Sequence, residues 1–176
     1  MRQVEILDTT LRDGAQGAGI SFSLQDKLNI VSALDKLGIH IIEAGNPASN
    51  ESEREFFRRL KDIPLNSSIA AFGSTRHKNT PVSADEGLIK LLSAETQYVS
   101  IFGKANAQDV RSVLGTTLEE NLRMIYESVQ LLVSQGRRVI FDAEHFFDGY
   151  IEDSEYALAA LTAAHEGGAQ TICLCD

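Results

Sequence analysis

What the sequence lacks narrows it first. No apolar run approaches the ~20 residues that a membrane-spanning helix needs. No basic segment followed by an apolar one opens the chain, so it reads as carrying no signal peptide. Basic residues are the minority: 16 Lys and Arg against 25 Asp and Glu leave a formal net charge of −9. Nucleic acids and anionic membranes reward basic patches, so neither is expected as a partner. Only two cysteines occur, Cys173 and Cys175. At that spacing they cannot form an ordinary disulfide, which points to a reducing, cytoplasmic setting. They read as small buried strand residues in preference to a Cys-x-Cys metal site. No Gly-x-Gly-x-x-Gly opens the first helix, which disfavours a dinucleotide fold. Gly14, Gly17 and Gly19 are read as loop flexibility. Low-complexity segments and linker composition are also missing.

What is there is a repeated strand–helix unit. With 176 residues, 43% hydrophobic and 23% charged, the chain has the size and composition of one soluble domain with a real core. Apolar runs predict strands over residues 4–7, 39–42, 68–72, 98–102, 138–142 and 171–175. Helical spacing predicts helices over 24–37, 51–61, 84–92, 117–136 and 155–165. Their ends carry the expected signals: Ser23 before the first and Gly38 after it, Asn50 before the second, and a Thr117–Glu120 capping box. Asp153 or Ser154 opens the last helix, and Gly167-Gly168 closes it. This alternation implies a parallel sheet with helical crossovers. The longest loops follow the first, third and fourth strands, all on the carboxyl side, as in a barrel with its site on one face. A (β/α)8 TIM barrel needs eight such units in about 250 residues. Six are present, and the chain ends on a strand at Asp176 with no covering helix. Residues 1–176 are therefore expected to be the amino-terminal portion of a longer catalytic barrel, without its last strands or any carboxyl-terminal regulatory domain.

The chemistry concentrates in Leu7-Asp8-Thr9-Thr10-Leu11-Arg12-Asp13-Gly14-Ala15-Gln16. This run leaves the first strand at its carboxyl end, where loops of a parallel α/β protein converge on one mouth. The Asp13 carboxylate can hold a divalent cation through oxygen. The Arg12 guanidinium can grip a carboxylate or a developing alkoxide with forked hydrogen bonds. An ordinary loop salt bridge is the plainer alternative, and the whole run outweighs it.

Three further runs accompany the first: Ile41-Ile42-Glu43-Ala44-Gly45-Asn46-Pro47, Ala70-Ala71-Phe72-Gly73-Ser74-Thr75-Arg76, and Phe141-Asp142-Ala143-Glu144-His145-Phe146-Phe147-Asp148-Gly149-Tyr150. Together the four resemble the motifs of the metal-dependent aldol and Claisen enzymes. That family includes 2-isopropylmalate synthase, homocitrate synthase, citramalate synthase and hydroxymethylglutaryl-CoA lyase. The last run looks like the citramalate synthase branch in particular, and the resemblance covers essentially the whole chain. It implies a (β/α)8 barrel with a divalent cation (Mg, Mn or Zn) at its mouth and Asp13 as one ligand. The family's other protein ligands are a His-x-His pair on the seventh strand, which would lie beyond Asp176. His40, His77, His145 and His165 form no such pair.

The resemblance also implies a reaction. A proton leaves the methyl of acetyl-CoA, and the enolate adds to a 2-oxo acid; pyruvate is the expected acceptor, in isoleucine or leucine biosynthesis. Arg12 would neutralise the new alkoxide. Glu144 would contact substrate or handle a proton, or else orient Arg12. Substrate contact is expected from Arg12, Asp13, Gln16, Glu43 and Glu144, although Glu43 reads better as a buried ion pair with Arg12. Gln16 is balanced between loop and substrate. His145 reads as a loop cap, and Arg76 as a solvated loop residue in preference to a CoA-phosphate contact. The whole protein is expected to be a homodimer, and this chain alone inactive. Competing functions are 2-isopropylmalate or homocitrate synthesis, aldol cleavage of a CoA thioester, and a non-catalytic module.

Overall fold

The computed structural model describes residues 4–176. Six strands form one sheet: β1 (Leu7–Asp8), β2 (Ile41–Gly45), β3 (Ser68–Ser74), β4 (Tyr98–Lys104), β5 (Arg138–Glu144) and β6 (Thr171–Leu174). Every neighbouring pair is parallel, and the spatial order equals the chain order. A doubly wound sheet reverses its order at a switch point. This one never does, so it is six units of a (β/α)8 barrel.

The crossovers are α1 (Leu24–Leu37), α2 (Glu51–Leu60) and α3 (Glu86–Ser93), then α4 (Ala107–Asp109), α5 (Leu118–Ser134), α6 (Phe146–Glu152) and α7 (Ser154–Gly167). The short α4 runs on into a π turn over Val110–Leu114. Local chemistry sets the ends. Ser23 and Asp26 form a reciprocal capping box, and Gly38 closes α1 in the left-handed conformation at φ 86°. Asn50, Asp85 and Asp153 cap α2, α3 and α7 through their side-chain oxygens. Thr117 caps α5 by accepting from the Glu120 amide, but the expected box is only half formed. The Glu120 carboxylate turns to Arg76 instead, at 2.7 Å.

Strand side chains alternate between two faces. Ile42, Ala71, Val99, Ile101, Val139 and Phe141 point outward and are completely buried against the helices, where Phe56, Leu88, Ile125 and Val129 meet them. Burying each of the larger side chains stabilises by roughly 1.5–3 kcal/mol. Facing inward, Ile41, Ala70, Tyr98 and Ile140 form a separate small apolar layer inside the barrel.

The strand limits differ from expectation for definable reasons. β1 keeps only two ladder residues, not 4–7, because the Ile6 N–H donates to His40 Nδ1 and not to a backbone acceptor. β2 starts at Ile41, because the Ile39 N–H is taken by the Leu34 carbonyl at the end of α1. It slips register between Glu43 and Gly45, and Gly45 has φ 139°, which L side chains rarely adopt. β3, β4 and β5 each run two residues further than expected. That extension carries Lys104 and Glu144 on the ladder toward the mouth.

α6 lies in the loop after β5 and was not expected. Within it, Gly149 packs on the chain between β4 and α4: a Cβ there would lie 2.6 Å from the Ala105 carbonyl oxygen and 2.8 Å from Asn106 Cα. In an open helix Gly→Ala gains about 1 kcal/mol. Here backbone blocks the methyl, so Gly149→Ala should destabilise by about 1–3 kcal/mol. The denaturation midpoint reads this directly, and a raised midpoint would contradict the packing described.

Candidate active site

The first loop is built to present two side chains. Asp8 accepts from the Thr10 amide at 3.0 Å and from the Thr10 hydroxyl at 3.1 Å, a turn typical of Asp. The Thr9 carbonyl then accepts the amides of Arg12, Asp13 and Gly14 at 2.9–3.1 Å. Leu11 is buried beneath the loop and anchors it. With Leu11 fixed downward, Arg12 turns into the barrel mouth and Asp13 stays at the rim.

Arg12 is held on three sides. Its Nε donates to Glu43 Oε2, and Nη1 donates to Asp13 Oδ1 at 3.1 Å. Its guanidinium carbon lies 4.1 Å from the centre of the Phe72 ring, within cation–π range. Glu43 is only 1% exposed, and Arg12 19%. A carboxylate so deeply buried needs a charged partner, and no neutral residue supplies the same compensation. Nη2 makes no hydrogen bond among the described residues.

Below the mouth lies a cavity of about 250 Å³ lined by Arg12, Glu43, Ser100, Asp142, Cys173 and Cys175 among others. Asp142 accepts a 3.4 Å hydrogen bond from Ser100 and has no ion-pair partner among the described residues. Burial pushes its carboxyl up to about 6, and the negative charge of Glu43 adds to this; Arg12 and Ser100 oppose it. Glu144 stands one inward position further along β5. It pairs with Lys104 at 2.9 Å, so the residue orienting Arg12 is Glu43 and not Glu144. Lys104 also approaches Asp109 at 3.6 Å.

Other expectations are corrected. Arg76 is neither solvated nor free for a phosphate: it is 5% exposed and bound to Glu120 and Glu127, each at 2.7 Å. Those two acids hold its guanidinium above the usual arginine range despite the cost of burial. His145 occupies the cap position of α6 with φ 56°, but its side chain caps nothing. Its Nε2 lies instead 3.9 Å from both Asp109 and Glu144. Gln16 is exposed and makes no side-chain hydrogen bond among the described residues. Cys173 and Cys175 are not core residues: Cys173 is exposed, Cys175 half-buried, and both line the cavity. Asp142, Ser100 and Lys104 were missed as site residues. Strand parity was the signal, since Asp142 precedes Glu144 by two on the same face.

Comparison with known proteins gives a match to the HMGL-like family over residues 3–176. An (R)-citramalate synthase of Sulfolobus acidocaldarius is 50% identical over 176 residues, covering 99% of this chain and 34% of the relative. The (R)-citramalate synthase of Aquifex aeolicus is 52% identical over 175 residues, covering 99% and 33%. The chain thus spans about a third of the length of these relatives. Among solved structures, an HMG-CoA lyase of Bacillus subtilis superposes with a TM-score of 0.74 at 18% identity, over 97% of this chain and 57% of that one. That likeness concerns the fold alone.

The Asp142 environment sets a pH dependence. Between the ordinary value of 3.8 and about 6 the folded state holds a proton that the unfolded chain has released. The contribution of Asp142 to folding stability therefore falls as pH rises through that window, by at most about 3 kcal/mol, and is level above it. Asp142→Asn should flatten the decline and raise the unfolding midpoint at about pH 7, measured with chelator present. An unchanged pH profile would contradict the assigned burial and repulsion.

Proposed function

The chain belongs to the HMGL-like family, and from that premise we propose that it is the amino-terminal barrel portion of a cytoplasmic acyltransferase. The reaction proposed is condensation of acetyl-CoA with a 2-oxo acid, with pyruvate as acceptor, as in citramalate synthesis for branched-chain amino acids. The observation that carries this reading is the clamped Arg12. Glu43, Asp13 and Phe72 fix its position, and its Nη2 makes no hydrogen bond among the described residues. The 50–52% identity to named citramalate synthases supports the choice among the family's reactions.

A preformed cationic fork of this kind suits an anion that grows during reaction. Its donors need no reorganisation when charge develops, and a partly buried setting strengthens them. Arg12 binds the oxo acid and then neutralises the alkoxide left when the carbonyl accepts the new carbon–carbon bond. Glu43 positions Arg12 and does not itself touch substrate. Glu144, its charge moderated by Lys104, contacts substrate or handles a proton.

The family implies a divalent cation. Asp13 fits one of its ligand positions: the side chain is 64% exposed at the rim, and its second oxygen makes no hydrogen bond among the described residues. One carboxylate does not complete a site, so the remaining donors are expected outside residues 1–176. When bound, the cation would polarise the oxo-acid carbonyl and hold it in one orientation. A homodimer is the proposed assembly of the whole protein.

Thiol release from acetyl-CoA by the whole protein carrying this chain tests the reading, with pyruvate, 2-oxoisovalerate and 2-oxoglutarate compared. Pyruvate should give the highest kcat/KM. Arg12→Lys should lower kcat by about 10²–10³-fold, because a point charge does not reproduce the fork. Asp13→Ala should abolish the response to added divalent cation. Cleavage of a CoA thioester without condensation, or full activity of Arg12→Lys, would overturn the proposal.

A further inference from the structure

The cavity under Arg12 holds a donor set that the condensation chemistry leaves unused. Asp142 and Cys173 are register partners on β5 and β6, and Cys175 follows two residues later on the same face. One oxygen of Asp142 and the two sulfurs lie within 4.8 Å of one another. The backbone at this corner is pinned, since the Cys175 carbonyl accepts from the Phe146 amide at 2.9 Å and its own amide donates to Ala143 at 3.2 Å.

We propose that Asp142, Cys173 and Cys175 form a three-ligand site for a thiophilic divalent cation of the zinc or cadmium class, separate from the cation position of Asp13.

The geometry carries this in three ways. The two sulfurs are 3.7 Å apart. Two thiolates on a tetrahedral zinc, each at about 2.3 Å, sit about 3.8 Å apart, so the pair needs almost no movement to close on the ion. The third donor, Asp142, lacks a cationic partner among the described residues, and Glu43 crowds it with a second negative charge. A dication relieves that repulsion. Last, three protein ligands leave one tetrahedral position open toward the cavity, for water or a small anion. Sulfur excludes magnesium as the preferred occupant, because hard cations take oxygen.

The test uses the whole protein, reduced and freed of metal, and reads binding without reference to activity. Titration with Cd²⁺ or Co²⁺ should produce a sulfur-to-metal charge-transfer band that saturates at one equivalent. Mg²⁺ should produce none. Removing even an outer partner of a metal ligand costs about 10–100-fold in affinity, so Cys173→Ser and Cys175→Ser should each weaken binding by at least about 100-fold. Asp142→Asn should weaken it by at least about 10-fold. A second measurement needs no variant: one equivalent of Zn²⁺ should slow iodoacetamide alkylation of both cysteines, read on the peptide spanning 171–176 by mass spectrometry. A band that survives both serine variants, or unslowed alkylation at either cysteine in zinc, would overturn the site. Equal protection by Mg²⁺ would overturn its thiophilic character.

Discussion

The site depends on one buried ion pair. Glu43 has almost no contact with solvent, and its charge is met by Arg12. Neither residue makes sense alone. A buried carboxylate without a cation costs several kcal/mol, and a lone arginine at a rim samples many rotamers. Paired, they turn a flexible side chain into a fixed donor array. Phe72 beneath and Asp13 beside complete the fixation. The loop that carries Arg12 is itself ordered by Asp8, the Thr9 carbonyl and the buried Leu11, so most of the Leu7-to-Gln16 run is accounted for by geometry.

The strands divide labour along their length and between their faces. Outward residues supply the continuous helix–sheet core, and the deeper inward layer of Ile41, Ala70, Tyr98 and Ile140 is apolar. Polar and charged groups begin one inward step higher, with Glu43, Ser100 and Asp142, and continue to Lys104 and Glu144. The apolar layer thus lies toward the amino ends of the strands and the ionisable groups toward the carboxyl ends. This arrangement concentrates like charges: Glu43 and Asp142 share a small cavity with Arg12. The raised Asp142 carboxyl follows from that crowding and from burial.

Much of this was legible in the residues. The five main helices and six strands follow from periodicity and caps, because local rules at Ser23, Gly38, Asn50 and Asp153 agree with the global fold. Where tertiary contacts compete, the reading failed. Glu120 left its capping box for Arg76, a residue 44 positions away. His40 took the Ile6 amide and shortened β1. Helix α6 was not read although Phe146/Tyr150 and Phe147/Ile151 have helical i,i+4 spacing, because it is only seven residues long and carries Gly149 in its interior. At the site, Arg12 with Asp13 and Glu43 could be anticipated from motif and strand position. Asp142 and the two cysteines could not be weighed properly until the β5–β6 register set them side by side.

The central claim is that Glu43 acts through Arg12. A double-mutant cycle on kcat/KM of the whole protein measures it, using Arg12→Lys, Glu43→Gln and the pair, each confirmed folded. Glu43→Gln alone should cost about tenfold, and adding it to Arg12→Lys should cost almost nothing further, a coupling above about 1 kcal/mol. Two fully additive losses would contradict the account, since they would mean that the buried glutamate serves the reaction by a route that does not pass through the arginine.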